Sequence, residues 1–273
     1  MRAFLANYQH PDVADINNMG ELQLGAAFHR ATLDRHLGIK TSMLTEKTID
    51  NLRPEVLKAV AKSVDEPAFI KTHDLWRSTP SGASLFPPDA IGGAIYIVRN
   101  VLDVAPSAAA HWGLSLDQAV AKLCDHDHTL ASGRHALFPM VPQLVGSWSR
   151  HVTSWLDQVE IPVCLLRYED MARDPVTAFG RALLFAGLEY DENRLLNAIR
   201  HSRFEVLSAQ EQAEGFRETP ARAKEPFFRN GKVGGWREEL PQDLVRKLTD
   251  VHGDTMQRLG YLSANGTPLE EET

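Results

Sequence analysis

The sequence predicts a layered α/β fold in which a central parallel sheet is covered by helices on both faces. Three observations carry that expectation. "PAFIKTH" (67–73), "GAIYIVRN" (93–100) and "IPVCLLRYED" (161–170) are apolar, partly β-branched runs of the kind found in strands buried on both sides. Helix-length segments alternate with them, as right-handed crossovers between parallel strands require. Each run ends in polar or charged residues, and the carboxyl ends of such strands are where these sheets bind ligands.

The chain opens on a helix: Met1, Phe4, Leu5 and Tyr8 fall at i, i+3, i+4 and i+7, and Pro11 ends the pattern. Further helices are expected at about 20–37, 45–63, 101–112, 115–129, 147–158, 175–187, 191–213 and 242–259. Thr45 can cap the second of these, and Asp174 followed by Pro175 is a cap and first-turn pair. Residues 263–273, "SANGTPLEEET", read as a disordered acidic tail, which leaves 1–262 as one domain.

Bulk properties exclude several classes. A net charge of −7 over 273 residues argues against nucleic acid or an anionic membrane as the main partner, so any anion site must be local. No run approaches the ~18 apolar residues of a membrane span. Cys124 and Cys164 are the only cysteines, too few for a disulfide framework or a structural zinc site, which fits a cytoplasmic protein.

The strand exits hold the chemistry. The first delivers Lys71-Thr72-His73, the second Arg99-Asn100 with Asp103 and Ser107 behind it, the third Arg167-Tyr168-Glu169-Asp170. Arg99 and Ser107 together suit a phosphate dianion, although an ordinary Arg99–Asp103 ion pair reads equally from the same residues. His73 can accept a hydroxyl proton and Lys71 can neutralise charge on a transferring group; a structural histidine is the alternative. From Phe216 to Arg237 six Lys or Arg face two Glu, and Gly231, Gly234 and Gly235 make the stretch either a ligand-ordered lid or a solvated basic loop. "CDHDH" (124–128) resembles a metal set but has the spacing of a helix end, so no metal is expected. Trp148, His151 and Trp155 share one helix face, where core packing is the default.

Taken in order, these motifs resemble the cytosolic-type sulfotransferases that use 3′-phosphoadenosine 5′-phosphosulfate (PAPS) as donor. "FIKTH" is similar to the family's strand with its catalytic histidine, and "YIVRNVLDVAPS" to its Arg-Asn-Pro-x-Asp-x-x-x-Ser segment. "LLRYEDM" followed by "DP" resembles its Tyr-Glu-Asp-Met signature, and "FFRNGKVGGW" its Phe-Phe-Arg-Lys-Gly-x-x-Gly-x-Trp loop. The resemblance implies a three-layer P-loop-like fold that binds PAPS and releases adenosine 3′,5′-bisphosphate (PAP) without a metal. It assigns Arg99, Ser107, Arg229, Asn230 and Gly231 to the 3′-phosphate, and Phe204 and Tyr168 to the adenine. It assigns His73 as general base and Lys71 to the sulfuryl oxygens. Asn230 stands where the family usually has Lys, and Val101 where it has Pro.

In the family a first strand and a Tyr-Pro-Lys-Ser-Gly-Asn-Thr-Trp loop lead into a helix like "MRAFLANY", and that loop gives the helix's orphan amides the donor's 5′-phosphosulfate. The resemblance therefore implies that this first strand and loop are missing from the sequence, and that the chain as written is weakly active or inactive. A gene start placed at an internal Met explains this better than genuine loss, because losing an inner strand strips ladder partners from the core. The acceptor is expected to be a small molecule offering a hydroxyl or amine, walled by Trp76, His111, Trp112 and Phe138. A homodimer is compatible with the sequence. The alternatives are a non-catalytic PAP-binding protein or a P-loop kinase-like nucleotide binder, the latter disfavoured because no Gly-x-x-x-x-Gly-Lys-Ser/Thr occurs.

Overall fold

The computed structural model describes residues 1–10, 12–19, 28–64, 68–133, 137–223 and 225–269. In chain order its helices and strands are α1 (Arg2–Gln9), α2 (Arg30–Leu37), α3 (Glu46–Ala61), β1 (Ala94–Val98), α4 (Val101–Trp112), α5 (Leu116–Cys124), β2 (Thr129–Leu130), β3 (Gln143–Leu144), α6 (Trp148–Leu156), β4 (Val163–Arg167), α7 (Tyr168–Arg173), α8 (Pro175–Phe185), α9 (Glu192–His201), α10 (Phe204–Glu214), α11 (Trp236–Glu239) and α12 (Gln242–Arg258). The fold is α/β with helices flanking a parallel sheet, in which β1 pairs with β4; β2 and β3 form a separate antiparallel pair.

Helices start where short polar side chains can take the first orphan amides. Thr45 accepts from Thr48 N, Asn100 from Leu102 N, Ser147 from Arg150 N and Asp191 from Arg194 N. Ser115 and Gln118 form a reciprocal capping box, and Asp174 caps α8 with Pro175 in the first turn, as the sequence suggests.

The chain divides into two compact units, 1–19 with 95–125 and 165–273, and 20–94 with 126–164. In the first, α4 packs on α5, α11 and α12, α8 on α7 and α9, and α1 on α9, around a core that includes Leu102, Leu183, Leu195 and Leu248. The apolar stripe read in the opening helix is buried: Phe4 stacks on Phe179 at 4.2 Å, and Tyr8 Oη donates to the Glu189 carbonyl and accepts from Asp191 N. In the second unit α2 packs on α3, and the rings of Phe28, Trp76, Phe86 and Trp155 pack together.

Four expectations are corrected. The strand at 67–73 is an extended segment with a single bridge at Phe69, its first residue lying outside the described set. The amides at its carboxyl end go to side chains, His73 N to Gln143 Oε1 at 3.0 Å and, in the next residue, Asp74 N to Thr72 Oγ1 at 3.1 Å. The third strand stops at Arg167, because Tyr168 already begins α7. The helix read over 191–213 is two helices, broken at Ser202 and Arg203. The helix read over 115–129 ends at Cys124, since Asp125 is extended. The helix read over 20–37 is seen from Arg30, residues 20–27 lying outside the described set. Of the terminal segment 263–273, the part to Leu269 turns back through a Leu262–Pro268 bridge, with Leu269 N bonded to the Tyr261 carbonyl; 270–273 are outside the described residues.

Candidate functional site

In the first unit the carboxyl ends of β1 and β4 set Arg99 and Tyr168 side by side, with the Arg99 guanidinium 4.3 Å from the centre of the tyrosine ring. A desolvated cation over an aromatic face is worth about 0.5–2 kcal/mol and holds the guanidinium in one plane. Burial raises the Tyr168 pKa, with Arg99 opposing, so the phenol keeps its proton and donates to the Gly231 carbonyl at 2.7 Å. Arg99 Nη2 donates to the Lys232 carbonyl at 2.5 Å. Both strand-end residues therefore grip the glycine-rich loop.

Asp103 holds the same loop from α4. Its buried carboxylate accepts from Gly234 N at 2.8 Å and Trp236 N at 2.9 Å, while Arg99 Nη2 stands 3.8 Å away. The sequence offered Asp103 as a strand-end partner for Arg99; its main work is to fasten the loop. Gly231 has φ +64°, and a Cβ there would lie 2.6 Å from Phe204 Cδ2, so this close approach to the ring requires glycine. Phe204, at the start of α10 and assigned by the resemblance to the adenine, thus covers the loop.

Arg229 points the other way. It forms a two-point ion pair with Glu239 at 2.7 and 2.9 Å and approaches Glu225 at 3.5 Å, and the Glu239 hydrogen bonds raise its pKa. Asn230 sits between Arg229 and Gly231, its Nδ2 3.7 Å from the position of a Gly235 Cβ. Ser107 is exposed on α4, about two turns beyond Arg99. His111 meets Phe227 edge-on at 5.6 Å, and Trp112 packs on the Ala108, Ala109 and Ala119 cluster. Unforeseen from the sequence is Glu169, whose buried carboxylate joins Asn100 N to the Tyr261 hydroxyl, both at 2.9 Å.

In the second unit Lys71 and His73 are exposed on the extended segment that precedes buried Asp74. His73 is pinned through its backbone: N to Gln143 Oε1, and its carbonyl to His151 Nε2 at 3.3 Å. That carbonyl can only accept, so Nε2 of His151 carries the proton, and burial lowers the His151 pKa, favouring the neutral ring. Asp74 anchors the segment. It pairs with fully buried Arg53, approaches Arg77 at 3.4 Å, accepts from Leu144 N at 3.2 Å, and its carbonyl accepts from Trp155 Nε1 at 3.1 Å. Arg53 in turn lies over the Phe28 ring at 4.3 Å. Trp76, read as a pocket wall, is packed in the aromatic cluster with its Nε1 on Glu160 at 3.1 Å, whereas Phe138 is 38% exposed.

The "CDHDH" stretch does not gather. Cys124 Sγ lies 3.7 Å from His252 Nε2, His126 and Asp127 contact Arg150, and no group of three or more His, Cys, Asp or Glu suited to a metal occurs among the described residues. No described helix is long and apolar enough to cross a membrane.

Arg99 and Tyr168 thus stand at adjacent strand ends, where open α/β sheets bind their ligands, and both are bonded to one glycine-rich loop. The chain belongs to the sulfotransferase domain family, whose sequence model matches residues 8–260. Among curated relatives, Sulfotransferase 1 family member D1 of Rattus norvegicus is 27% identical over 201 residues, 69% of this chain and 64% of the relative. Sulfotransferase 1B1 of Mus musculus is 30% identical over 183 residues, 64% of this chain and 55% of the relative. The chain thus spans 55% to 64% of the length of these two relatives. A crystal structure of retinol dehydratase in complex with androsterone and PAP superposes with a TM-score of 0.52 at 20% identity, covering 92% of this chain and 66% of that one. That likeness supports the fold.

Proposed function

We propose that this protein moves a sulfuryl group from PAPS to a hydroxyl or amine of a small-molecule acceptor. The observation that carries the reading is Arg99 stacked on Tyr168 beneath a loop that Tyr168, Arg99 and Asp103 all bind, at strand ends of a sulfotransferase-family sheet. Supporting it, the solved retinol dehydratase structure contains PAP.

The residues suit a doubly phosphorylated adenosine. Arg99 and Ser107 hold the 3′-phosphate, with Asn230 and the Gly231 backbone beside them; Arg229 contributes once its fork turns from Glu239. Phe204 and Tyr168 bracket the adenine. PAPS supplies the sulfuryl group on its 5′-phosphate. His73 takes the acceptor's proton onto its imidazole, and its pinned backbone fixes where that ring starts. Lys71 offsets negative charge on the sulfuryl oxygens. Positioning and charge stabilisation then carry most of the rate. His111 and Trp112 in the first unit, and Phe138 in the second, are the acceptor-side candidates this reading keeps; Trp76 is packed among the aromatic rings of its own unit.

The test is His73→Ala with labelled PAPS and a panel of phenols and alcohols, beside PAP titration. Transfer lost with PAP affinity kept supports catalysis by His73; transfer unchanged overturns that role. Wild-type protein that binds PAP and transfers nothing is instead a nucleotide-binding protein without this activity.

A further inference from the structure

We infer that Glu211 is a positioning residue that sets the 227–231 loop for the 3′-phosphate, an inference that rests on the nucleotide-binding reading above. Its carboxylate accepts from two successive backbone amides, Phe227 N to Oε1 at 2.7 Å and Phe228 N to Oε2 at 2.8 Å, and Thr219 Oγ1 reaches Oε1 at 3.2 Å. One anion thereby closes the loop on itself, tying residue 219 on the outgoing limb to 227 and 228 on the return. Charge-assisted bonds of this kind are stronger than neutral ones, and two from one carboxylate fix the plane of the peptide they grip.

The helix that carries Glu211 grips the loop a second time. Phe204 lies seven residues earlier on α10, two turns back on the same face, and its ring rests on Gly231. The two attachments fall on either side of Arg229, so α10 splints the run from Phe227 to Gly231. The Phe216, Phe227 and Phe228 rings, 4.9 to 5.5 Å apart, pack between the limbs and give the loop a body that Glu211 orients. Neither Glu211 nor Phe216 belongs to the motifs that point to the family, and α10 buries no residue fully, so Glu211 reads from sequence as an ordinary exposed helix acid.

A splint for the 3′-phosphate loop affects one phosphate and not the other. Calorimetric titration of the full chain with PAP and, separately, with adenosine 5′-monophosphate distinguishes this from general support. Glu211→Ala and the near-isosteric Glu211→Gln, whose amide group presents a donor to one of the two N–H groups, are each expected to weaken PAP roughly ten-fold or more. Adenosine 5′-monophosphate should change by less than about two-fold. Glu205→Ala, an exposed change on the same helix, should alter neither. Equal weakening of both nucleotides, or weakening of neither, overturns the inference. Should Glu211→Ala fail to fold, Glu211→Gln decides it. Wild-type protein that binds neither nucleotide overturns the nucleotide reading itself, and this inference with it.

Discussion

The guanidinium of Arg229 faces the carboxylate of Glu239 fork to fork, Nη1 to Oε2 at 2.7 Å and Nη2 to Oε1 at 2.9 Å. Glu239 occupies the Nη1/Nη2 edge while Glu225 stands 3.5 Å from Nε, so these carboxylates compete with a phosphate for the guanidinium's donors. Glu239→Gln removes the competing charge and is expected to tighten PAP binding several-fold. Weaker binding would show instead that the pair is needed to shape the loop.

Gly231→Ala meets two obstacles at once: a left-handed φ of +64° and a methyl 2.6 Å from the Phe204 ring. A strained backbone conformation alone costs about 1–3 kcal/mol. The variant is expected to lose PAP affinity at least ten-fold while its thermal midpoint falls only a few degrees, since the loop is peripheral to the core. Adding Phe204→Leu should recover part of the lost thermal stability by removing the clash but not the strain, without restoring PAP affinity, since it also removes a ring assigned to the adenine.

The Arg53–Asp74 pair is fully buried and holds the segment that carries Lys71 and His73. Breaking a buried pair leaves one charge uncompensated, at a cost of about 3–5 kcal/mol. Asp74→Ala should therefore lower the urea midpoint sharply. The double variant Arg53→Met with Asp74→Leu should recover much of that stability, yet leave His73 without its anchor, so transfer stays impaired.

Burial pushes the His252 pKa down to about 4 from the usual 6.5. The unfolded chain therefore binds a proton between those values that the folded chain refuses, and stability is full above pH 6.5 and falls as pH drops toward 4. The loss amounts to roughly 3 kcal/mol at the acid end. Denaturant midpoints across that range should show the decline, and His252→Gln should flatten it; an unchanged slope would exonerate this residue.

Much of this was legible in the sequence, because the signals were local. Thr45 and Asp174 are caps whose partners lie three residues on, and the alternation at Phe4, Leu5 and Tyr8 marks one buried face. Arg99, Tyr168, Phe204 and Gly231 sit in short motifs, and the structure brings these four together around one loop. What escaped depends on distant partners. Asp103 is the i,i+4 mate for Arg99 that the sequence suggests, at 3.8 Å, but its bonds to the amides of Gly234 and Trp236, more than 130 residues away, left no local signal. Arg229 looked available until Glu239 filled its fork. The segment 67–73 has the composition of a strand, but at its end the amides of His73 and the adjoining Asp74 are taken by side chains. Trp76 is an aromatic near a strand exit, and only packing reveals which way it faces.

Calorimetric titration of the full chain and of Arg99→Met with PAP tests the central claim most directly. Saturable binding by the wild type, weakened at least ten-fold when the guanidinium above Tyr168 is replaced, is the outcome expected for a bidentate phosphate contact. Equal affinity in the two proteins, or no binding by well-folded wild type, would contradict it.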